Sequence, residues 1–250
     1  MSWWTRLRRV RLGGLPASSD GASSFHLWWQ VPSDRRIVET RVTVEVRTPP
    51  AIDRLYFWAL QVSFEDRGRH LGAGHTGVQW HPASPGGAIN WGRYDPRGGE
   101  LPGTRSDLPA VDSANTRRWS WSPRVPYQLR VWSPTDGVWR AEVTNTLDGT
   151  TTVIRDLLLP ATELTRPVVW AEVFAPCDDP PTEARWKDLL VVDSAGVDHA
   201  VIAASVTYQP VSSGGCSNTE AFVDGSAFVQ RTGSATPRST RTPLELRVRE

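Results

Sequence analysis

The sequence predicts an all-β domain, an antiparallel two-sheet jelly-roll sandwich, with a closed lipocalin-like β-barrel as the alternative. Three observations carry this expectation. Short runs with apolar residues at every second position recur along the chain, and Gly, Pro, Asn and Asp break them at short intervals. No segment keeps a helical period for more than a turn or two. At 250 residues one β-sandwich domain is an ordinary size, and a chain of this length folds without needing metals or cross-links.

The first predicted strand covers residues 25–31. Residues 37–46 alternate, with Val38, Val42, Val44 and Val46 on one side and Glu39, Arg41, Thr43 and Glu45 on the other. Residues 55–64 form a strongly apolar strand. Gly72, Ala73 and Gly74 predict a turn, followed by strands at 76–81 and 89–94 and a loop over roughly 95–115. Residues 127–132 and 138–145, joined through Pro134-Thr135-Asp136-Gly137, make the clearest hairpin. A turn at Asp148–Gly149 leads to 151–154, and strands at 167–174, 184–192 and 200–208 complete the core. Residues 161–164 suit a short helical turn. The domain is expected to span 25–230, between an N-terminal arm (1–24) and a tail (231–250) in which Leu244, Leu246 and Val248 suit an edge strand.

A formal net charge of +1 argues against a dedicated nucleic-acid binder, which shows a basic face. No run of apolar residues is long enough to span a membrane as a helix. The basic start, with Trp3 and Trp4, lacks the apolar stretch of a secretory signal, so the cytoplasm is the expected location, with secretion left open. Cys177 and Cys216 admit three readings: a bridge, a thiol–carboxylate metal site with His199, or two separate thiols. Thirteen tryptophans against six phenylalanines and four tyrosines point to aromatic surface as well as aromatic core.

Separating strand faces isolates the candidate site. Trp170, Glu172 and Phe174 share a face opposite Val169, Ala171 and Val173, and Gln61 lies on the less apolar side of its strand. Gln128, Arg130 and Trp132, with Arg140, Glu142 and Thr144, oppose the core faces of the hairpin strands. These residues are expected to form one floor of indole, amide, guanidinium and carboxylate, the groups that stack on sugar C–H faces and bond hydroxyls. His75, Gln79, His81, Asn90, Trp91 and Tyr94 form the densest polar–aromatic stretch and converge if their two strands pair. The six-residue spacing of His75 and His81 is a poor metal signal, and no motif calls for a cofactor or metal. Glu172, between two aromatic residues, is the best candidate general acid, with Glu142 and His81 as partners. The competing role for Glu172 is an ion pair with Arg130, Arg140 or Arg185.

Residues 182–192, TEARWKDLLVV, resemble the penultimate strand of concanavalin-like jelly-roll modules. Gln79–Trp80, then Tyr127 to Trp132 and Trp139 to Val143, are similar to that family's order over roughly residues 25–208. The resemblance implies a concave sheet as the ligand face and a carbohydrate ligand. It also implies no glycan hydrolysis, because the glutamate motif of the family's hydrolases is missing. Three functions therefore compete: a non-catalytic glycan-binding module, an enzyme using Glu172 on a sugar or small apolar metabolite, and a structural or assembly protein. Oligomeric state is left open.

Overall fold

β-branched and aromatic residues at alternate positions favour extended chain, and each run finds its partner far along the sequence. The structure, a computed structural model, describes residues 23–92, 94–177, 179–234, 238 and 244–249. In chain order the strands begin with β1 (Ser23–Trp29), β2 (Ile37–Thr48), β3 (Tyr56–Asp66), β4 (Arg69–His81), β5 (Ser84–Gly92) and β6 (Ala110–Val111). They continue with β7 (Ser113–Arg118), β8 (Tyr127–Thr135), β9 (Val138–Asn145), β10 (Thr151–Leu158), β11 (Glu163–Val173) and β12 (Glu183–Asp193). Last come β13 (Asp198–Ala200), β14 (Ala203–Tyr208), β15 (Glu220–Asp224), β16 (Ala227–Arg231) and β17 (Glu245–Arg247).

Antiparallel pairing arranges these as two layers. The first sheet runs β6–β7–β5–β4–β3–β11–β1–β14–β17. The second runs β10–β9–β8–β2–β12, and the outer side of β12 carries β16 with β15 along one half and β13 along the other. Among the described residues a single bridge, from Leu164 to Ile37, links the layers. The sandwich expectation is met, and among the described residues no sheet closes into a lipocalin-like barrel.

Inward faces of both sheets fill one core. Phe25, Leu27, Trp58, Leu60, Phe64, Ile89 and Trp91 meet Val42, Val44, Leu129, Val131, Trp139 and Trp186, all almost fully buried. Trp186 Nε1 donates to Gln230 Oε1 at 2.9 Å, and Gln230 Nε2 donates to the Phe25 carbonyl at 2.8 Å. Indole and amide are thus satisfied without solvent, as buried polar groups must be.

Several sequence expectations are corrected. Gly72 to Gly74 make no turn but lie inside β4; the chain reverses instead at Arg67 and Gly68, both at positive φ. The glycine at 74 answers a packing demand, because ring atoms of Phe64 and Trp91 lie 3.0–3.1 Å from where a Cβ would stand. Residues 161–164 form no helix, and β11 begins at Glu163. The β15–β16 hairpin falls where no strand was expected. Residues 245–247 form β17, paired with β14; Ser23 and Ser24, assigned to the arm, open β1, while residues 1–22, with Trp3 and Trp4, lie outside the described residues.

Candidate functional site

The register of the first sheet fixes which side chains share its outer face. Trp28, Val168, Gln61, His75 and Gly92 form one row across β1, β11, β3, β4 and β5. The next row is His26, Trp170, Ala59, Gly77, Asn90 and, on β7, Thr116. A third holds Ser24, Glu172, Phe57, Gln79 and Ala88. Small residues stand at 59, 77 and 88 between the larger side chains of these rows.

This face is unusually dry for the outside of a sheet. Phe57, Ala59, Val168 and Trp170 form a second apolar cluster, separate from the core, with Trp28 against it. The Phe57 and Trp170 rings meet edge to face at 4.9 Å, and His75 stands edge-on to both, at 5.2 and 5.3 Å. His75, Gln79, Asn90 and Trp170 are each only 5% exposed. Asn90 Nδ2 donates to Thr116 Oγ1 at 3.3 Å. Among the described residues, Gln79 Oε1, Asn90 Oδ1 and Trp170 Nε1 are buried without a hydrogen-bond partner, although each such atom costs on the order of 1–3 kcal/mol.

Two titratable groups add acid–base capacity. Burial lowers the pKa of His26 below its ordinary value, so the imidazole is neutral at neutral pH and able to accept a proton. Glu172 is the diagonal neighbour of His26 across the β1–β11 pair, and it is half-buried. The arginines expected to neutralise Glu172 are engaged on the other sheet. Arg130 binds Glu39 and Glu142, Arg140 binds Asp156, and Arg185 binds Asp224.

The structure divides the other candidates. Gln61, Gln79, Asn90, Trp170 and Glu172 share the outer face of the first sheet. Arg130, Trp132 and Glu142 lie on the outer face of the second, so the single floor expected from the sequence does not exist. There Arg130 Nε and Nη2 each reach Glu39 at 2.7 Å, Nη1 reaches Glu142 at 3.0 Å, and the guanidinium sits 4.3 Å from the Trp132 ring centroid. Burial opposes the charge on Arg130, but the hydrogen bonds from Glu39 and Glu142 outweigh it and raise its pKa. With Arg41, which also binds Glu39, Arg130 and the two glutamates form a self-neutralised cluster, and Glu142 is too far around the sandwich to work with Glu172.

Trp91 is a core residue, 0% exposed, with Nε1 donating to the Trp139 carbonyl at 3.2 Å. Its parity on β5 is opposite to that of Asn90, so no ligand reaches it. Tyr94 is 45% exposed and bridges to Glu100, away from the three rows. His81 lies beyond a register shift at the end of β4. Its Nδ1 accepts from the Ala83 N–H at 3.2 Å and its Nε2 stands 3.6 Å from Asp112. It borders a separate groove of about 540 Å³ lined by Trp80, Pro50, Pro82 and Pro85, not the face that holds Glu172. Sequence reading placed His75 in the polar stretch but overlooked His26, Trp28 and Phe57. The alternation of β1 was the signal that could have found the first two.

Cys177 and Cys216 are bridged, with Cα atoms 5.4 Å apart, which settles the three readings of the cysteines. The bridge ties the end of β11 to the segment before β15. Among the described residues no helix is long and apolar enough to cross a membrane.

No protein-family model matches the chain, and no curated protein sequence matches it. Solved structures do. Scytalido-glutamic peptidase, solved with a peptide-based transition-state analogue, superposes with a TM-score of 0.50 at 12% identity, covering 83% of this chain and 97% of that one. SCP-B, a member of the eqolisin family of peptidases solved with the tripeptide Ala-Ile-His, gives 0.49 at 12% identity over the same shares. Lectin II from Ulex europaeus gives 0.28 at 10% identity, covering 84% of this chain and 73% of the lectin. At such identities likeness speaks for architecture alone, and what is shared is the all-β antiparallel jelly-roll sandwich.

Proposed function

We propose that the outer face of the first sheet is the working surface of this protein and that it binds an extended, hydroxyl-rich ligand, a glycan. The observation that carries this reading is the set of unpaired, buried polar atoms on one face: the carbonyl oxygens of Gln79 and Asn90 and the indole N–H of Trp170. Sugar hydroxyls both donate and accept, so one ligand satisfies two acceptors and a donor together, recovering the cost of leaving them dry. Trp170 is walled by Phe57 and His75, and the half-buried Trp28 stands at the rim with His26 stacked on it at 5.8 Å and the Arg166 guanidinium 5.3 Å from its ring centroid, so a sugar that stacks there displaces the arginine. The disulfide supports work in an oxidising compartment, against the cytoplasmic expectation.

The test is calorimetric titration with an oligosaccharide panel. Gln79→Leu and Asn90→Leu are expected to weaken binding at least tenfold; Gln79→Leu removes an unpaired buried acceptor and leaves the melting temperature unchanged or raised, whereas Asn90→Leu also gives up the hydrogen bond to Thr116 and lowers it. Absence of binding across the panel, or affinity indifferent to both substitutions, overturns the reading.

A second reading is favoured by one observation, the neutral imidazole of His26 diagonal to Glu172 on the same dry face. A carboxyl and a neutral base over an aromatic-walled floor are the parts of general acid–base hydrolysis. Because scytalido-glutamic peptidase, which shares the fold, was solved with a peptide-based transition-state analogue, unstructured peptides belong beside glycans in the turnover assay. Under this reading Glu172→Gln abolishes turnover while leaving ligand affinity within a few-fold; turnover that survives it excludes Glu172 as the catalytic acid or base.

A further inference from the structure

At one open edge of the sandwich two arginines from opposite sheets meet. Arg117 on β7 is paired in register with the inward-facing Ile89. Arg155 on β10 is paired with the inward-facing Ala141, after a bulge between Val153 and Arg155 that turns both Ile154 and Arg155 inside. Both guanidinium groups end on the same oxygen: Arg155 Nη1 donates to the Ala114 carbonyl at 2.8 Å, and Arg117 Nη2 donates to it at 2.6 Å. Arg155 Nη1 also lies 3.1 Å from Asn115 Oδ1.

Arg155 is 7% exposed, yet among the described residues neither arginine makes an ion pair. The Nε of each is buried with no hydrogen-bond partner. Glu100, whose charge acts on Arg155, accepts at Oε1 from Asn115 Nδ2 at 2.6 Å rather than from either guanidinium. A buried cation is normally paired, and two of them on one neutral oxygen repel each other. Burial first, then the charge of Arg117, lowers the pKa of Arg155, with Glu100 opposing. Ala114 is exposed and Arg117 half-buried, so the pair lies close beneath the surface.

We infer that Arg117 and Arg155 form an anion site that takes an oxyanion, carboxylate, sulfate or phosphate, between their guanidinium groups. A guanidinium presents parallel N–H donors matched to two oxygens of such a group, and the unpartnered, buried Nε of each arginine becomes the second donor of its fork when the guanidinium turns toward the anion. The site stands on its own observations and does not depend on the ligand proposed for the outer face of the first sheet.

The experiment is isothermal titration with sodium sulfate, sodium phosphate and sodium acetate at constant ionic strength set by chloride, with thermal melts in parallel. At least one of the three is expected to bind saturably, one anion per chain, at millimolar concentration or below, and to raise the melting temperature. Sulfate or phosphate ahead of acetate identifies a tetrahedral ester as the natural group; acetate ahead identifies a carboxylate. Arg117→Gln, at the half-buried member, is expected to weaken binding at least tenfold. Arg117→Lys, which keeps the charge and loses the fork, is expected to fall between, and it serves alone if the glutamine variant does not fold. No saturable binding above the chloride background, or equal binding by wild type and both variants, overturns the inference.

Discussion

Replacing Trp91 by alanine separates core from site more sharply than any other single change. Trp91 is 0% exposed, its ring centroid lies 6.1 Å from that of Phe64, and its Nε1 donates to the Trp139 carbonyl at 3.2 Å. Truncating a buried tryptophan costs about 3–5 kcal/mol through lost contacts and the cavity left behind. Leaving the Trp139 carbonyl dry adds about 1–3 kcal/mol, for a total of about 5 kcal/mol. Against a whole-domain stability of about 5–15 kcal/mol, Trp91→Ala is close to unfolding the protein. Trp91→Phe keeps most of the ring and loses the donor, for about 2 kcal/mol. In urea titrations followed by circular dichroism, with a slope of about 2.5 kcal/mol/M, the alanine variant loses about 2 M of midpoint and the phenylalanine variant about 0.8 M. A loss under about 1 kcal/mol for Trp91→Ala, in a variant that still folds with the wild-type slope, refutes this account of the core.

Two further outcomes follow from the structure. The Cys177–Cys216 bridge spans 39 positions, and the chain-entropy relation gives about 4 kcal/mol for a loop of that size; the Cys177→Ser/Cys216→Ser double variant should lose about that much in urea, and an unchanged midpoint contradicts a stabilising bridge. Asp193 is held at a pKa of about 2 by its hydrogen bond with His199, then by the backbone N–H groups of Val197 and Ala195. A depressed carboxyl pKa contributes stability that is present above its unfolded value near 3.9 and is lost as pH falls toward about 2. Melts between pH 5 and pH 2 should therefore fall less steeply for Asp193→Asn than for wild type; identical profiles remove Asp193 from the acid response.

Much of the fold was legible because side-chain period in a strand is a local property. Val169, Ala171 and Val173, or Tyr127, Leu129 and Val131, announce a buried face without knowledge of any partner, and the hairpin at Asp136–Gly137 announces its own register. Parity also separates Asn90 from Trp91, though it does not say which of the two is inside. Gly72 to Gly74 misled because glycine serves both turns and close packing. At position 74 the reason is two aromatic rings that arrive from other strands.

The candidate site was half legible for a related reason. Alternation determined that Gln61, Arg130, Glu142, Trp170 and Glu172 point away from the core. It carried no information on which of two outer faces each one joins, because that depends on pairings as distant along the chain as Arg41 with Arg130 and Ser24 with Glu172. Tertiary structure put Glu172 between Ser24 and Phe57 and sent Arg130 to Glu39 on the opposite side. It also assembled what no local pattern encodes: the dry aromatic wall around His75, the bridge across 39 positions, and two arginines brought to one carbonyl oxygen by a bulge in an edge strand. The sequence by itself determined that this chain is a two-layer β-sandwich, while the burial of tryptophans such as Trp91 and Trp170 came from the packing. Only the long-range pairing of its strands decided which polar residues meet, since alternation is written in the period of a strand and adjacency is not.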